Sequence, residues 1–183
     1  MDETRRGSRF IHRQGKISVA SVEFGEDLVR LLPRLRRFAR GLAHDGADGD
    51  DLCQMTIERA LKAAHLWQAG TRLDAWVYRI MRNIWIDEGR ARSRRGQTFV
   101  PEEAGADVGD AGDAAVEAAV ELGQVDRAMR RLPEEQREAV MLVLVEGFGY
   151  KEAAEIIGCP IGTLTSRLVR GREALRRDLG ERP

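Results

Sequence analysis

The apolar residues recur at helical spacing along most of the chain. From residue 28 they follow the i, i+3, i+4, i+7 pattern of a helix that buries one face. The positions are Leu28, Leu31, Leu32, Leu35, Phe38, Ala39 and Leu42. Pro33 lies inside this helix, and because proline lacks an N–H donor we expect a kink or a restart there. Residues 44–50, with two glycines and three acids, are predicted to form a turn.

A second helix and a third are predicted before residue 95. The second has a predicted inner face of Cys53, Ile57, Ala60, Leu61, Ala64 and Trp67. Its outer face is polar and consists of Asp51, Gln54, Glu58, Lys62 and His65, a pattern that fits a solvated face as well as a binding surface. The third helix is predicted to begin near Thr71, which stands three residues before Asp74 as in a capping box. Its predicted core positions are Val77, Ile80, Met81 and Ile84.

The outer face of the third helix carries an unusual combination of side chains. Trp76, Arg79 and Asn83 follow one another at i, i+3 and i+7. Tryptophan supplies a stacking surface, arginine a phosphate partner and asparagine a reader of base edges, which together suit single-stranded nucleic acid. The alternative is that Trp76 completes the core and the arginines only keep the helix soluble. Both interpretations fit the spacing.

An acidic segment separates this helical region from the rest of the chain. Residues 96–121 contain seven acids and no basic residue, although the whole chain carries 30 basic and 30 acidic side chains. The segment has too little apolar surface to offset its ordering entropy. We therefore predict a flexible linker at 96–115 between domains at 24–95 and 116–183, after a disordered tail at 1–23. A long loop within one domain fits less well, because structureless loops beyond about 12–15 residues are uncommon.

The second half of the chain contains a predicted helix-turn-helix. Val120, Val125, Met129 and Leu132 are spaced as in a helix. Pro133 is predicted to open a further helix, which Gly147 ends. A short helix at 150–157, a turn at 158–160 and a longer helix from about 162 to 179 follow. The predicted packing face of this helix pair is Ala154, Ile157, Ile161, Leu164, Leu168 and Leu175.

The outer face of the last helix is rich in hydroxyls and arginines. Its residues are Thr163, Thr165, Ser166, Arg167 and Arg170. In a helix-turn-helix the N-terminal part of the second helix enters the major groove of DNA, so this face is predicted to read duplex DNA. The alternative is an antiparallel helix pair with a cationic solvent face.

Composition excludes several classes of protein. The longest apolar run, residues 139–145, has seven residues, far fewer than the roughly 18–20 that span a bilayer. The basic N-terminus is not followed by the apolar stretch of a signal peptide, so we expect a cytoplasmic protein without membrane insertion. Cys53, Cys159 and the three histidines form no disulfide or metal-binding pattern. We expect no metal and no cofactor.

Four short motifs occur in order along the chain. DDLCQMT at 50–56 and DAWVYRIMRN at 74–83 lie in the first predicted domain, and LPEEQRE at 132–138 and GTLTSRL at 162–168 lie in the second. Together they resemble the region 2 and region 4 signatures of bacterial sigma factors of the extracytoplasmic-function (ECF, group 4) class of the sigma-70 family. The resemblance covers residues 24–179. It implies an all-α fold of two small helical domains joined by the acidic linker.

The resemblance also implies a role for each polar face. The stripe of Asp51, Gln54 and Glu58 would bind the clamp helices of the largest subunit of core RNA polymerase, and the flap region is a further implied contact. Trp76, Arg79 and Asn83 would bind the unpaired minus-ten element of promoter DNA. The minus-thirty-five element in duplex DNA would be read by Thr163, Thr165, Ser166, Arg167 and Arg170. The family further implies control by an anti-sigma factor, a role in stress response and a location at the nucleoid.

Two other functions fit part of the pattern. A stand-alone helix-turn-helix regulator would be dimeric, but the sequence shows no obvious dimerisation helix or ligand-pocket signature. A sigma mimic would titrate an anti-sigma factor without touching DNA, and Trp76, Asn83, Arg167 and Arg170 argue against it. An enzyme is not expected, since the sequence has no phosphate-binding glycine loop and no nucleophile elbow. The predicted function is an alternative sigma factor that directs core RNA polymerase to specific promoters.

Overall fold

All regular secondary structure in the described part of the chain is helical. A computed structural model describes residues 19–43, 46–68, 70–94 and 113–180. Its α-helices are α1 (Val19–Ala43), α2 (Gly46–Lys62), α3 (Leu73–Arg94), α4 (Asp113–Arg131), α5 (Glu134–Val140), α6 (Tyr150–Ile157) and α7 (Ile161–Asp178). The predicted all-α fold is confirmed. Residues 1–18 of the predicted tail and residues 96–112 of the predicted linker lie outside the described residues. Residues 19–23 belong to α1, so the prediction of a disordered tail is wrong there.

Helix α1 forms one wall of the first unit, which comprises α1 to α3. Leu28, Leu35, Phe38 and Leu42 are buried along its inner face, as the apolar spacing predicts. The helix continues through Pro33 as a single element, so the restart considered above is not observed. Pro33 is exposed, and the buried contacts on either side of it offset the one backbone hydrogen bond that proline cannot make.

Helix α2 begins earlier than predicted. It starts at Gly46, so residues 46–50 are helical and the predicted turn is wrong there. Asp48 in the first turn favours this start, because a negative charge stabilises a helix N-terminus. Leu61, predicted to be in the core, is 53% exposed. The reason is that the buried face of α2 runs through Cys53, Thr56 and Ala60, and Leu61 lies beside that face.

Helix α3 begins two residues after its predicted cap. The Thr71 hydroxyl donates to the carbonyl of Gln68 at 2.7 Å, so the predicted capping box is wrong. Asp74 instead accepts the backbone N–H of Ala75 at 2.8 Å and a hydrogen bond from Arg72 at 2.6 Å. The predicted inner face is confirmed, with Ile80 half-buried and the other three residues buried; these three are Val77, Met81 and Ile84.

Helices α1 and α2 approach closely at Gly49. A Cβ atom added to Gly49 would lie 2.8 Å from Cα of Arg40 and 3.0 Å from its backbone N. The backbone of α1 cannot move away from this point without disturbing the packing of Phe38 and Leu42. Gly49 therefore serves the crossing of the two helices and not the turn that the sequence predicted.

Replacing Gly49 by alanine is expected to destabilise the protein by about 1–3 kcal/mol, the usual cost of overpacking. Gly123→Ala is the matched control, because a Cβ at this helical position meets no described atom within 4 Å. There the helix propensity of alanine alone should raise the stability, by up to about 1 kcal/mol. Urea denaturation measures both changes. A Gly49→Ala variant as stable as Gly123→Ala would contradict the close approach.

The second unit comprises α4 to α7 and contains the predicted helix-turn-helix. Helix α5 continues as a π-helix at Met141–Val145. Gly158, with a φ of +72°, turns the chain between α6 and α7, a conformation that glycine adopts without strain. Leu164 is buried as predicted, whereas Ile161 is 53% exposed. The prediction for Ile161 is wrong because α7 first reaches the core one turn later, at Leu164.

The start of the second unit differs from the predicted boundary. Helix α4 begins at Asp113, so residues 113–115 of the predicted linker are helical. Of the apolar positions predicted for this helix, Leu132 directly after it is buried and Val125 is 43% exposed.

The two units share one continuous hydrophobic core. Tyr78 of α3 is fully buried at their junction. Its ring centroid lies 4.9 Å from that of Phe38 in the first unit and 5.0 Å from that of Phe148 in the second. The units are therefore docked against each other. Among the described helices, none combines the length and apolar composition needed to cross a membrane.

Candidate nucleic-acid interface

The polar stripe predicted on α2 lies at the surface. Asp51, Gln54 and Glu58 are all exposed. Gln54 Nε2 donates to Glu58 Oε1 at 3.4 Å, and Lys62 Nζ lies 3.7 Å from Glu58 Oε2. The stripe borders a shallow groove whose other lining residues include Leu32, Arg36, Cys53 and Ile57. Polar groups around a partly apolar floor are typical of a surface that binds another protein.

An ion pair at the edge of this groove joins α1 to α2. Arg40 Nη2 donates to the two carboxylate oxygens of Asp50 at 3.1 and 3.0 Å. This hydrogen bonding from Arg40 lowers the pKa of Asp50. Both side chains are exposed, so the pair contributes little to the stability of the fold.

The predicted face of α3 is divided between surface and core. Arg79 and Asn83 are exposed and lie one turn apart. Trp76 is half-buried, and its ring packs edge-on against Phe24 with centroids 6.2 Å apart. The structure thus places the arginine and the asparagine together on the surface, while much of the tryptophan ring contributes to the core of the first unit.

The predicted reading face of α7 is largely exposed. Thr165, Ser166 and Arg170 are exposed, and Thr163 is half-buried. The Thr165 hydroxyl donates to the carbonyl of Ile161 and the Ser166 hydroxyl to that of Thr163, both at 2.9 Å. These side chains satisfy their donors on their own helix.

Arg167 differs from the other residues of this face. Its side chain is 20% exposed, and its Nη2 lies 2.9 Å from Oε2 of Glu135 on α5. An arginine held in this way has a fixed direction, which suits bidentate recognition of a guanine edge. Contact with DNA would have to displace or share Glu135.

A buried carboxylate joins the two units. Glu146, directly after the π-helix, has a fully buried side chain. Its Oε2 accepts hydrogen bonds from the Tyr78 hydroxyl at 2.6 Å and from Arg34 Nε at 3.1 Å. Its Oε1 accepts from Arg37 Nε at 2.9 Å. Three side chains of the first unit thus hold one carboxylate of the second, through charge-assisted hydrogen bonds that are stronger than neutral ones.

Three further contacts between the units also pair a donor of the first unit with a carboxylate of the second. They are Arg82 Nε with Glu138 Oε1 at 2.6 Å, Arg72 with Glu152, and the indole N–H of Trp85 with Glu134. In each of these contacts, as at Glu146, the carboxylate belongs to the second unit and the donor to the first. We name the carboxylates the acidic face, which consists of Glu134, Glu138, Glu146 and Glu152. The arginine face consists of Arg34, Arg37, Arg72 and Arg82.

Burial controls protonation at two positions of this contact. It raises the pKa of Tyr78, and the hydrogen bond to the Glu146 carboxylate raises it further. Burial also raises the pKa of Glu138, while the charge of Arg82 and its hydrogen bond oppose that rise. Tyr78 is therefore a neutral hydrogen-bond donor at physiological pH. The charge of Arg82 favours the ionised form of Glu138 and so opposes the effect of burial.

Stability is expected to fall as the pH rises above about 10, the pKa of an unperturbed tyrosine. Because the pKa of Tyr78 is raised in the folded protein, the unfolded chain releases this proton first. The stabilising contribution is therefore complete below the unfolded pKa and is lost as the pH rises from that value through the raised pKa of the folded protein. The free energy of unfolding across this range should decline more steeply for the natural chain than for Tyr78→Phe. Equal slopes would contradict the buried hydroxyl.

Known protein families match both regions of the chain that contain the sequence motifs. Residues 28–82 match the family model described as the Sigma2 domain of PhyR, and residues 122–175 match Sigma-70, region 4. The chain is 36% identical over 150 residues to the ECF RNA polymerase sigma factor EcfG of Rhodopseudomonas palustris, a match that covers 82% of this chain and 81% of that protein. The chain belongs to the ECF RNA polymerase sigma factors.

Two further relatives support the assignment of this chain to the ECF sigma factors. The ECF RNA polymerase sigma factor SigM of Mycobacterium tuberculosis is 34% identical over 147 residues, which cover 80% of this chain and 72% of that protein. The sigma factor RpoE of Bartonella quintana, solved in complex with the anti-sigma factor NepR, matches with a TM-score of 0.74 and 33% identity, over 86% of this chain and 97% of that chain. The predicted family and function, an alternative sigma factor in a regulatory, non-catalytic family, are confirmed.

The residues that join the two units of this sigma factor were not predicted from its sequence. One signal was available, because Glu146 is a single acid directly after the seven apolar residues 139–145, and a charge next to a core segment needs partners. Its partners could not be read from the sequence. Arg34 and Glu146 are 112 positions apart, and no local pattern connects them.

Proposed function

We propose that this sigma factor uses its three polar faces for three separate contacts during initiation. The α2 stripe of Asp51, Gln54 and Glu58 binds the clamp helices of core RNA polymerase, and the second unit contacts the flap region. The unpaired minus-ten element binds the α3 face of Trp76, Arg79 and Asn83. The minus-thirty-five duplex binds the α7 face, which consists of Thr163, Thr165, Ser166, Arg167 and Arg170.

The observation that carries the proposal is the exposure of these faces on three helices whose opposite sides are buried. Asp51, Asn83 and Arg170 are all exposed, whereas Cys53, Met81 and Leu168 on the same helices are buried. A polar face on a helix that is already anchored in the core is available to a partner. Each unit alone would bind DNA weakly, and joining both through polymerase raises the effective concentration of the second contact.

The experiment is transcription by a reconstituted complex. The full chain is mixed with core RNA polymerase, the complex is isolated by size exclusion, and transcripts from genomic DNA fragments are mapped. Transcripts that start at discrete sites support the proposal and give the promoter sequence. A complex that forms without discrete starts contradicts the DNA contacts, and the absence of any complex contradicts the polymerase contact.

Substitutions on the two DNA-binding faces are expected to have different effects. Asn83→Ala should impair promoter opening more than binding to core polymerase. Arg167→Ala should weaken binding to duplex promoter DNA by about 1–3 kcal/mol, the worth of a good base contact. Arg176→Ala is the control, since Arg176 is exposed on the same helix beyond the proposed reading face. Permanganate footprinting measures opening, and fluorescence anisotropy measures duplex binding; an equal loss of core binding in both variants would contradict this division of roles.

An anti-sigma factor is proposed as the regulator and stress as its signal. The support comes from the Bartonella quintana sigma factor RpoE, which is 33% identical to this chain and was solved with the anti-sigma factor NepR. A NepR-class protein added to the reconstituted complex should abolish the discrete transcripts. Transcripts that persist at saturating amounts would argue against this class of regulator.

A sigma mimic remains the second candidate function. It is favoured by the match of residues 28–82 to the Sigma2 domain of PhyR. A mimic would bind the anti-sigma factor but would yield no transcripts with core polymerase. The transcription experiment therefore separates the two functions.

A further inference from the structure

A positively charged cleft lies between the C-terminal part of α3 and the junction of α4 with α5. Its volume is about 520 Å³, within the range of about 300–1,000 Å³ that small-molecule sites occupy. Four arginines line it, Arg90 and Arg92 from the first unit and Arg130 and Arg137 from the second. Glu134 of the acidic face is the one carboxylate among the described lining residues, which leaves a net charge of +3. The cleft therefore favours an anionic ligand.

Arg137 is the buried arginine of this cleft, with 2% of the residue exposed. Its Nη1 and Nη2 donate to the carbonyls of Leu132 and Leu42 at 3.2 and 3.4 Å, and such carbonyls at helix ends carry only partial charges. Its Nε has no hydrogen-bond partner among the described residues. Burial lowers the pKa of Arg137, and the charge of Glu134 opposes this effect. A buried cation that lacks a directly bound carboxylate is costly, and a bound anion offsets this cost.

The two arginines of α3 also keep donors for a ligand. Nη1 of Arg90 lies 3.9 Å from the Asp87 carboxylate, and Nη1 of Arg92 lies 3.8 Å from that of Asp48. Both distances exceed the length of a hydrogen bond. Because a guanidinium has five N–H donors, each of these side chains can bind an anion without giving up a short contact. Phosphate is the anion that arginine forks bind best, through paired charge-assisted hydrogen bonds.

Apolar side chains form the rest of the cleft. Trp85, Ile86 and Leu132 line it beside the arginines. The guanidinium of Arg92 lies 4.6 Å from the centre of the Trp85 ring, and flat groups of both kinds also stack on nucleic-acid bases. An inorganic anion would leave this apolar part uncovered. A nucleotide, with anionic phosphates at one end and a flat base at the other, matches both parts.

We propose that this cleft binds a nucleoside polyphosphate, with its phosphates against the arginines and its base beside Trp85. The part of α3 that lines the cleft, residues 85–93, begins beyond Asn83, so the site is separate from the three faces proposed for polymerase and DNA. The ligand contacts residues of both units. It therefore binds where the units are docked and stabilises the folded chain by mass action.

The test is a calorimetric titration of the full chain with ADP in the absence of Mg²⁺. We expect saturable binding at one site with a dissociation constant below about 1 mM. The melting temperature should rise with the ADP concentration. Adenosine lacks the phosphates and pyrophosphate lacks the nucleoside, so each should bind more weakly than ADP.

Two variants locate the site. Arg137→Gln removes the buried charge and should weaken ADP binding about tenfold, as expected for loss of a hydrogen bond to a charged group. The Arg90 side chain is 74% exposed, so Arg90→Gln should fold normally and weaken binding about two- to threefold, as expected for loss of an exposed charge pair. Arg94→Gln is the matched control, because Arg94 is exposed on the same helix and does not line the cleft. If Arg137→Gln does not fold, the comparison of Arg90→Gln with Arg94→Gln decides.

Binding of ADP that is weakened by Arg90→Gln, and by Arg137→Gln where it folds, but not by Arg94→Gln supports the inference. A lack of saturable binding overturns it, and so do equal losses in all the variants, which reflect net charge alone. Pyrophosphate that binds as tightly as ADP overturns the assignment of a nucleotide. A short single-stranded DNA that displaces ADP and depends on the same arginines assigns the phosphates to nucleic acid and also overturns the inference. These results do not depend on transcription, so they are separate from the test of the proposed function.

Discussion

Replacing Phe148 by alanine is expected to lower the free energy of unfolding by about 3–5 kcal/mol, the usual cost of removing a buried phenyl ring. Phe148 is 2% exposed and lies at the junction of the two units. Its ring centroid is 5.0 Å from that of Tyr78, and the guanidiniums of Arg34 and Arg72 lie 5.8 and 5.1 Å from it. The substitution therefore leaves a cavity and also removes an aromatic pair and two cation–π contacts.

The same variant is expected to unfold in two separable steps. The three tryptophans, Trp67, Trp76 and Trp85, all lie in the first unit. Their fluorescence therefore reports on that unit and, through the contact of Trp85 with Glu134, on its docking, whereas circular dichroism reports on the helices of both units. In the natural chain the two probes should give one coincident urea transition, because the units share a core. In Phe148→Ala the transitions should separate. Phe148→Leu, which keeps most of the volume, should cost less and preserve the coincidence.

A cost below about 1 kcal/mol with coincident transitions would contradict this account of the junction, because that is less than any large buried side chain normally contributes. Phe24→Leu provides a comparison within the first unit, where Phe24 is 5% exposed and packs against Trp67 and Trp76. It should shift the transitions of both probes together, without dividing the unfolding into two steps.

The helices themselves could be predicted because each one buries a periodic apolar face. Leu28, Phe38, Met81 and Leu164 were assigned to the core from spacing alone, and all four are buried. A stripe of this kind specifies its own inner side whatever the helix packs against. The exposed polar faces of α2, α3 and α7 could be predicted in the same way, because each lies on the side of its helix opposite the buried apolar face.

The wrong predictions concern residues whose roles depend on contacts with other helices and not on the periodicity of their own helix. Leu61 lies beside Ala60, where the buried face of α2 ends, and Ile161 lies in the first turn of α7, before Leu164 reaches the core. Gly49 was read as a turn signal, although the structure uses it for a close helix crossing. Glycine allows both roles, and only the neighbouring backbone shows which one applies.

The docking of the two units could not be predicted, because its contacts join distant segments. Tyr78 and Glu146 are 68 positions apart, and Arg82 and Glu138 are 56 apart. Each arginine on α3 could equally have faced solvent or DNA. The candidate faces were therefore predictable as surfaces. The sequence could not show that Glu138 holds Arg82, or that Glu152 shares Arg72 with Asp74 of the first unit.

Replacing Arg82 by methionine is expected to destabilise the protein by about 3–5 kcal/mol at neutral pH, because it leaves a buried carboxylate without its partner. Glu138 is 6% exposed, and Arg82 Nε donates to its Oε1 at 2.6 Å. Burial already raises the pKa of Glu138, and Arg82 opposes this rise. Separation of the units would expose Glu138 to water, so the cost cannot exceed the free energy of docking.

The pH dependence of this variant gives a second, independent readout. Without Arg82 the pKa of Glu138 should rise further above the value of about 4.3 expected in the unfolded chain. Between these two pKa values the folded state holds a proton that the unfolded state has already lost, so the free energy of unfolding should increase as the pH falls through the folded pKa toward the unfolded value. The difference from the natural chain should narrow over the same range.

Two further variants identify the cause of the cost. Arg79→Met changes an exposed arginine on the same helix and should alter stability by no more than about 0.5 kcal/mol. Adding Glu138→Gln to Arg82→Met removes the unpaired charge and should restore most of the lost stability, because a neutral amide is far less costly to bury than a carboxylate. If the double variant were as unstable as Arg82→Met, lost packing of the arginine stem would account for the effect and the buried charge would not.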